Sequence, residues 1–137
     1  MARAATMNTN DVIDEVVKGK GRVVDPNAQE WERTYAMFTH LSLLATHFGL
    51  IIPFPALIMW LIKKGETPFI DDHGREALNF QISLCIYAVA SIVLTFCGVG
   101  VVLLIATYVL AIVGMILAAI AANKGQYYRY PMTIRFF

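Results

Sequence analysis

Apolar residues run together along this chain instead of recurring at the spacing of a soluble amphipathic helix. They form three blocks, Tyr35 to Ile62, Ala77 to Phe96 and Val99 to Ala122, parted by KKGETPFIDDHGRE and by CGVG. Each of the last two blocks is long enough to cross a hydrocarbon core, which takes about 20 residues of helix. The first block is broken by HFGLIIPFP, where Gly49, Pro53 and Pro55 interrupt a straight helix. It is therefore either one kinked span or a hairpin of two.

Charge placement separates these alternatives, because positively charged loops stay on the cytoplasmic side. With a hairpin, all eleven Lys and Arg (Arg3, Lys18, Lys20, Arg22, Arg33, Lys63, Lys64, Arg75, Lys124, Arg129 and Arg135) fall on one side, together with all ten acids. The other side then shows only two uncharged tips, HFGLIIPFP and CGVG. With a single span the same cations split five, Arg3 to Arg33, against six, Lys63 to Arg135, and the bias vanishes.

The pattern thus predicts an all-α, polytopic membrane protein with four transmembrane helices, about 31–48, 53–64, 72–97 and 99–124, the first two forming a short Gly/Pro-tipped hairpin. Residues 30–125 make the membrane domain, and both termini face the cytoplasm. The second helix spans only about 18 Å at 1.5 Å per residue, so the hairpin thins the bilayer or enters part-way. Residues 1–29 are polar and of mixed charge, with a loop-like GKGRVVDPN, and read as a mobile or peripherally docked arm. Residues 126–137 read as an interfacial aromatic and basic tail.

Composition agrees with a lipid environment: 58% of residues are hydrophobic and 15% charged, with a mean hydropathy of +0.59. A formal net charge of +1 gives no field for nucleic acid. Cys85 and Cys97 lie in apolar sequence without CxxC or metal-ligand spacing, and read as small hydrophobes. The first 17 residues include three acids and no apolar core, unlike a secretory signal. No GxSxG, Walker A or HExxH pattern occurs, so neither enzymatic activity nor a cofactor is expected.

The informative residues are the polar ones inside the apolar blocks. Glu76, Asn79, Ser83, Tyr87 and Ser91 recur every three or four residues and form one stripe down the third helix, with Gln81 off it. Polar groups in lipid are costly unless partnered, so the stripe faces protein or water: interhelical hydrogen bonding or, less simply, a conduit. Thr39, His40, Ser42, Thr46 and His47 on the first helix are candidate intramembrane partners. Asp71 and Asp72 are placed to cap the third helix, Asp71 is spaced to pair with Arg75, and His73 is expected at the membrane surface. Haem would need a facing ligand for His40 or His47, and a cation site at Asp71, Asp72, His73 and Glu76 would need adjacent acids to converge; no metal is expected. Ala111, Gly114, Ala118 and Ala122 give the fourth helix a face of small residues for close packing. Gly125 can end that helix, and Tyr127, Tyr128 and Tyr130, with Arg129 and Arg135, suit a tail lying along the cytoplasmic surface.

Two segments, WLIKKGETPFIDDHGREALNFQISL (Trp60 to Leu84) and NKGQYYRYPMTIRF (Asn123 to Phe136), resemble a bacterial membrane family of unknown function that is similar to the Tic-twenty subunit of the chloroplast inner-envelope protein translocon. The resemblance runs from about Tyr35 to Phe137. It implies four membrane helices and no known catalysis or cofactor. Asp72, His73, Gly74, Glu76, Ala77, Asn79, Phe80 and Gln81 correspond to the family's HGKEALNFQ pattern, with Arg75 in place of its Lys.

The expected function is that of a small non-enzymatic membrane protein, an accessory or scaffolding subunit whose partners are the bilayer and another membrane protein, or a second copy of itself. A Tic-twenty-like translocation or conduction element is the alternative, and a haem or quinone carrier a further one. The topology makes a direct prediction. With the native cysteines replaced, a cysteine at Gly98 reacts with an impermeant reagent from outside the cell and one at Glu66 does not; labelling of both from one face overturns four crossings.

Overall fold

The computed structural model describes residues 23–47 and 55–137, with the side chains of Thr46 and His47 excepted. Among the described residues it is all-helical: α1 (Glu30–Leu41), α2 (Leu43–His47), α3 (Pro55–Lys63), α4 (Pro68–Leu94), a 3-10 turn at Thr95–Cys97, and α5 (Gly100–Asn123). Much of the expected arm, residues 1–22, and most of the HFGLIIPFP tip, residues 48–54, lie outside the described residues.

Each boundary has a local cause. Gln29 and Glu32 form a reciprocal capping box that starts α1. At its end the hydroxyls of Thr39 and Ser42 turn back on the carbonyls of Tyr35 and Thr39, and the helix breaks at Ser42 before resuming as α2. The expected start of the third helix at Asp72 is corrected to Pro68. Thr67 caps α4 by accepting from the Ile70 N–H, and Pro68 occupies the first turn, where no donor is needed. Asp71 and Asp72 therefore sit inside the helix and cap nothing, though Asp71 does pair with Arg75 at 2.8 Å. Gly98, at φ 83°, supplies the left-handed turn that reverses the chain between α4 and α5. Gly125, at φ 71°, ends α5, with its own N–H on the Ala122 carbonyl and that of Gln126 on Ala121.

α1 packs against α5 and α4, and α3 packs against α4. The core is built on small residues. Ala56, Ala77, Ala118 and Ala121 let Phe80, Met115, Tyr128 and Tyr130 interdigitate. Ala111, Ala118 and Ala122 are buried there, and Gly114 lies under the Phe80 and Tyr130 rings. The small face of α5 is thus used within the chain.

This cover extends over only one half of the long hairpin. Beyond it α4, α5 and the 3-10 turn between them show Val89, Ile92, Val93, Phe96, Val101, Val102 and Ile105 on their surface, Phe96 with 94% of its area free. The stretches Pro68–Cys97 and Gly100–Asn123 are long and apolar enough to cross a membrane, and only 28% and 22% of their most apolar windows are buried. A core helix of a soluble protein would be mostly covered, whereas these two are largely uncovered. The shorter α1, α2 and α3 do not meet that length and hydropathy on their own.

The other end of the hairpin carries the charge. Lys63 pairs with Glu66 at 2.6 Å and lies 5.4 Å over the Trp31 ring, and the Trp60 indole donates to Asp71 at 2.8 Å. Between Glu76 and Lys124 the chain has no charged residue.

Gly74 lets α3 approach α4 closely, since a Cβ there would lie 2.3 Å from Trp60 Cδ1. Gly74→Ala is expected to cost about 1–3 kcal/mol by overpacking and to lower the thermal midpoint in detergent by at least about 3 °C. An unchanged midpoint would mean that the α3–α4 contact is not this close.

Candidate functional site

The polar stripe of α4 has an occupant. After Tyr130 the chain does not stay at the charged end of the helices. It passes down the flank of α4 as far as Tyr87, turns at Met132, and returns toward Asn79. The expectation of a tail lying along the surface is corrected here, because the stripe binds the tail's backbone.

The bonds are specific and run from side chain to main chain. Glu76 Oε1 accepts from the Tyr130 N–H at 2.8 Å. Ser83 Oγ accepts from the Ile134 N–H at 2.8 Å, and the Tyr87 hydroxyl donates to the Met132 carbonyl. Asn79 Oδ1 accepts from the N–H groups of Phe136 and Phe137, both at 3.1 Å, while its Nδ2 donates to the Phe137 carbonyl at 3.3 Å. Glu76, Asn79 and Ser83 are 4%, 2% and 0% exposed, so these are groups withdrawn from water and matched to one another. Ser91 turns back on the Tyr87 carbonyl at 2.6 Å and takes no part. Gln81 is buried on another face, beside Leu43 and Cys85.

The root of the tail is fixed by aromatic and charged contacts. Tyr130 stacks on Phe80 with ring centroids 3.8 Å apart, edge-on to Tyr128. Its hydroxyl shares a hydrogen bond of 2.7 Å with His40 Nδ1, and His40 Nε2 shares one of 2.9 Å with His73 Nδ1. Both histidines are fully buried. The surface position expected for His73 is therefore corrected. With α4 starting at Pro68, His73 falls in its second turn and faces inward, between Phe69 and Tyr127. Of the two histidines weighed for haem, His40 shares its ring nitrogens with Tyr130 and His73; the side chain of His47 lies outside the description.

Arg129 grips Asp72 through both guanidinium arms, each at 2.7 Å, the fork geometry that makes such pairs directional. Asp71 and Asp72 thus diverge to Arg75 and Arg129 instead of converging on a cation, and no group of three or more His, Cys, Asp and Glu able to hold a metal occurs among the described residues. Tyr127 donates to Asp25 at 3.0 Å; burial, reinforced by that carboxylate, pushes its phenol well above the ordinary value. Val24 bridges Gln126, and the Tyr127 N–H reaches the Val23 carbonyl, so residues 23–29 of the expected arm are docked on the start of the tail.

Comparison with known proteins adds what geometry does not. The model of the MamF/MmsF family, the magnetosome magnetite crystal formation protein family, matches residues 31–137.

The chain belongs to the MamF/MmsF family.

No curated protein and no solved structure matches it. The MamF/MmsF match covers the α4 stripe that serves as a rail for the tail, the histidine pair and the tail together, and places the chain in a magnetosome protein family. It lends no support to the Tic-twenty resemblance or to the translocation role that the resemblance implies.

The MamF/MmsF chain's stripe residues were visible as a pattern in the sequence, whereas their partner was not, since a backbone has no residue type to search for. One signal did exist. After Pro131, Met132, Ile134 and Phe136 alternate with polar Thr133 and Arg135, the period of an extended segment and not of a helix. Asn79→Leu removes three of the tail's hydrogen bonds, each contributing about 1 kcal/mol. Amide exchange at Ile134 to Phe137 is expected to speed up at least about tenfold while α5 stays protected; equal protection in both proteins would refute the docking role of Asn79.

Proposed function

We propose that this chain is a multi-pass, non-enzymatic protein of the magnetosome membrane that takes part in magnetite crystal formation as an accessory subunit joined to other membrane proteins. The family match over residues 31–137 carries this reading. The uncovered apolar half of the α4–α5 hairpin supports residence in lipid. Four crossings with both termini cytoplasmic are the arrangement that keeps all eleven Lys and Arg on one side. In that arrangement α1 with α2 and α3 form the short hairpin, shallower than α4 and α5.

The same topology bears on how such a protein could influence a mineral. Iron in an oxide lattice calls for hard oxygen ligands, carboxylates foremost. The face turned away from the cytoplasm, and so toward the magnetosome lumen, is HFGLIIPFP and CGVG, without one Asp or Glu. A surface so poor in ligands does not template a crystal by laying acids against it. Its influence passes through a partner held within the membrane or at the charged cytoplasmic end.

Removing the chain from a magnetite-forming cell is expected to leave vesicles in place but to change the size, number or shape of the crystals, with recovery when the chain is restored. The chain extracted in mild detergent is expected to bring at least one other magnetosome membrane protein with it. Unaltered crystals would overturn the role in crystal formation, and a chain recovered without any other protein would overturn the accessory-subunit reading.

A further inference from the structure

α1 and α5 pack against each other, yet a crease between them stays open. Its walls are Met37 and Leu41 of α1 with Ile116, Ala119 and Ile120 of α5, and Lys124 stands at its mouth. We infer that this crease binds an anionic phospholipid, one acyl chain lying between the helices and the phosphate held by Lys124 and Arg33. The inference rests on the proposed residence in a bilayer, with the charged end of the helices at headgroup level.

Two observations bring Arg33 to the same mouth. It stands one turn before Met37 and about two before Leu41, so the three share a face of α1. A Cβ on Gly125 would lie 3.0 Å from Arg33 Nε, which puts the guanidinium over the residue that follows Lys124. The charges there are not met within the described chain. Lys63, Arg75 and Arg129 pair with Glu66, Asp71 and Asp72, whereas neither Arg33 nor Lys124 has an ion pair among the described residues. Arg33 Nε donates to the Ala28 carbonyl at 2.9 Å, a bond that leaves the cation's charge uncompensated. The nearby carboxylates are engaged elsewhere: Asp25 accepts from the Asn27 N–H and the Tyr127 hydroxyl, and Glu32 from the Gln29 N–H.

The apolar walls do not supply the affinity. An acyl chain is surrounded by apolar groups in bulk lipid as in the crease, so covering the walls gains nothing. What the crease fixes is position. A chain lying in it brings its headgroup about 12 Å along α1 from Leu41, to the level of Arg33. The C-terminal end of α5 opposes an anion with about half a negative charge. Its last carbonyls already accept from the N–H groups of Lys124, Gly125 and Gln126, and the two full cations outweigh it. A zwitterionic headgroup would set its own cation beside these two. The crease therefore selects a phospholipid of net negative charge.

The test offers the full chain in mild detergent equal amounts of phosphatidylglycerol and phosphatidylcholine and counts bound lipid by native mass spectrometry. Phosphatidylglycerol is expected to be retained in about tenfold excess. Lys124→Gln changes a side chain with no hydrogen bond or ion pair among the described residues. It is expected to lower the excess about fivefold at an unchanged thermal midpoint, and Lys124→Arg to keep it. Arg33→Gln is expected to lower it by a similar factor and Arg33→Lys to restore most of it. Lys63→Gln combined with Lys64→Gln, on α3, is expected to leave it unchanged. With benzoylphenylalanine in place of Ile120, irradiation in the native membrane is expected to give phospholipid adducts.

Equal retention of the two lipids would overturn the site, as would an excess lost equally in the α3 variant, which would show general surface attraction. Displacement of the lipid by inorganic phosphate would reduce the site to an anion site and overturn the acyl crease. Adducts at Ile120 with another protein in place of lipid would overturn the lipid as occupant and leave the accessory-subunit reading standing. A chain that fails to float with vesicles would overturn residence in the bilayer, and the site with it.

Discussion

The whole arrangement depends on the fact that a main chain inside a bilayer has no water to bond with. A helix satisfies its own N–H and C=O groups, but a non-helical segment at membrane depth leaves each of them unmet, at several kcal/mol apiece. In the membrane arrangement proposed above, residues 131–137 are such a segment. They can lie along α4 only because Glu76, Asn79, Ser83 and Tyr87 present donors and acceptors at the positions the tail requires. The cost of polar side chains on a membrane helix and the cost of an open backbone beside it cancel each other. Either one alone would be unfavourable.

This dependence orders the rest. The tail must leave α5 at a fixed place and angle, which Gly125 sets by ending the helix in a left-handed turn. It must then be held as it enters the bundle, which Arg129 on Asp72 and Tyr130 on Phe80 accomplish. His40 and His73 extend that anchor from the tail across to α1 and α4, so three segments distant in sequence meet at one buried chain of hydrogen bonds. A bulkier residue at Gly114 would displace the Tyr130 ring that this anchor needs, which gives the small face of α5 a reason that packing density alone does not.

Much of the fold could be read from the residues because its signals are one-dimensional. Two long uncharged stretches, a Gly at each end of α5 and a period of three to four in the polar residues of α4 are local facts. What could not be read was pairing between segments distant in sequence. The expected helix start at Asp72 failed because two carboxylates looked like caps, when a Thr-Pro four residues earlier was the stronger signal and the acids were committed to Arg75 and Arg129. His73 followed the same error: assigned to a surface cap, it lost the inward face that a helix beginning at Pro68 gives it. The partner of the stripe was out of reach for a different reason, since side chains that bind a backbone leave no complementary pattern of residue types.

A polar stripe in a membrane helix invites comparison with a conduit, and the physical content of that idea can be weighed against what the stripe does. A conduit needs side chains whose hydrogen-bonding capacity is free to exchange between passing water or ions. Here Asn79 makes three bonds to the tail, Ser83 receives the Ile134 N–H, and Glu76 receives that of Tyr130, all at positions that are nearly closed to solvent. Opening a path would mean expelling the tail and leaving both sets of polar groups unmatched at once. The chemistry of the stripe therefore favours holding a peptide over passing a solute.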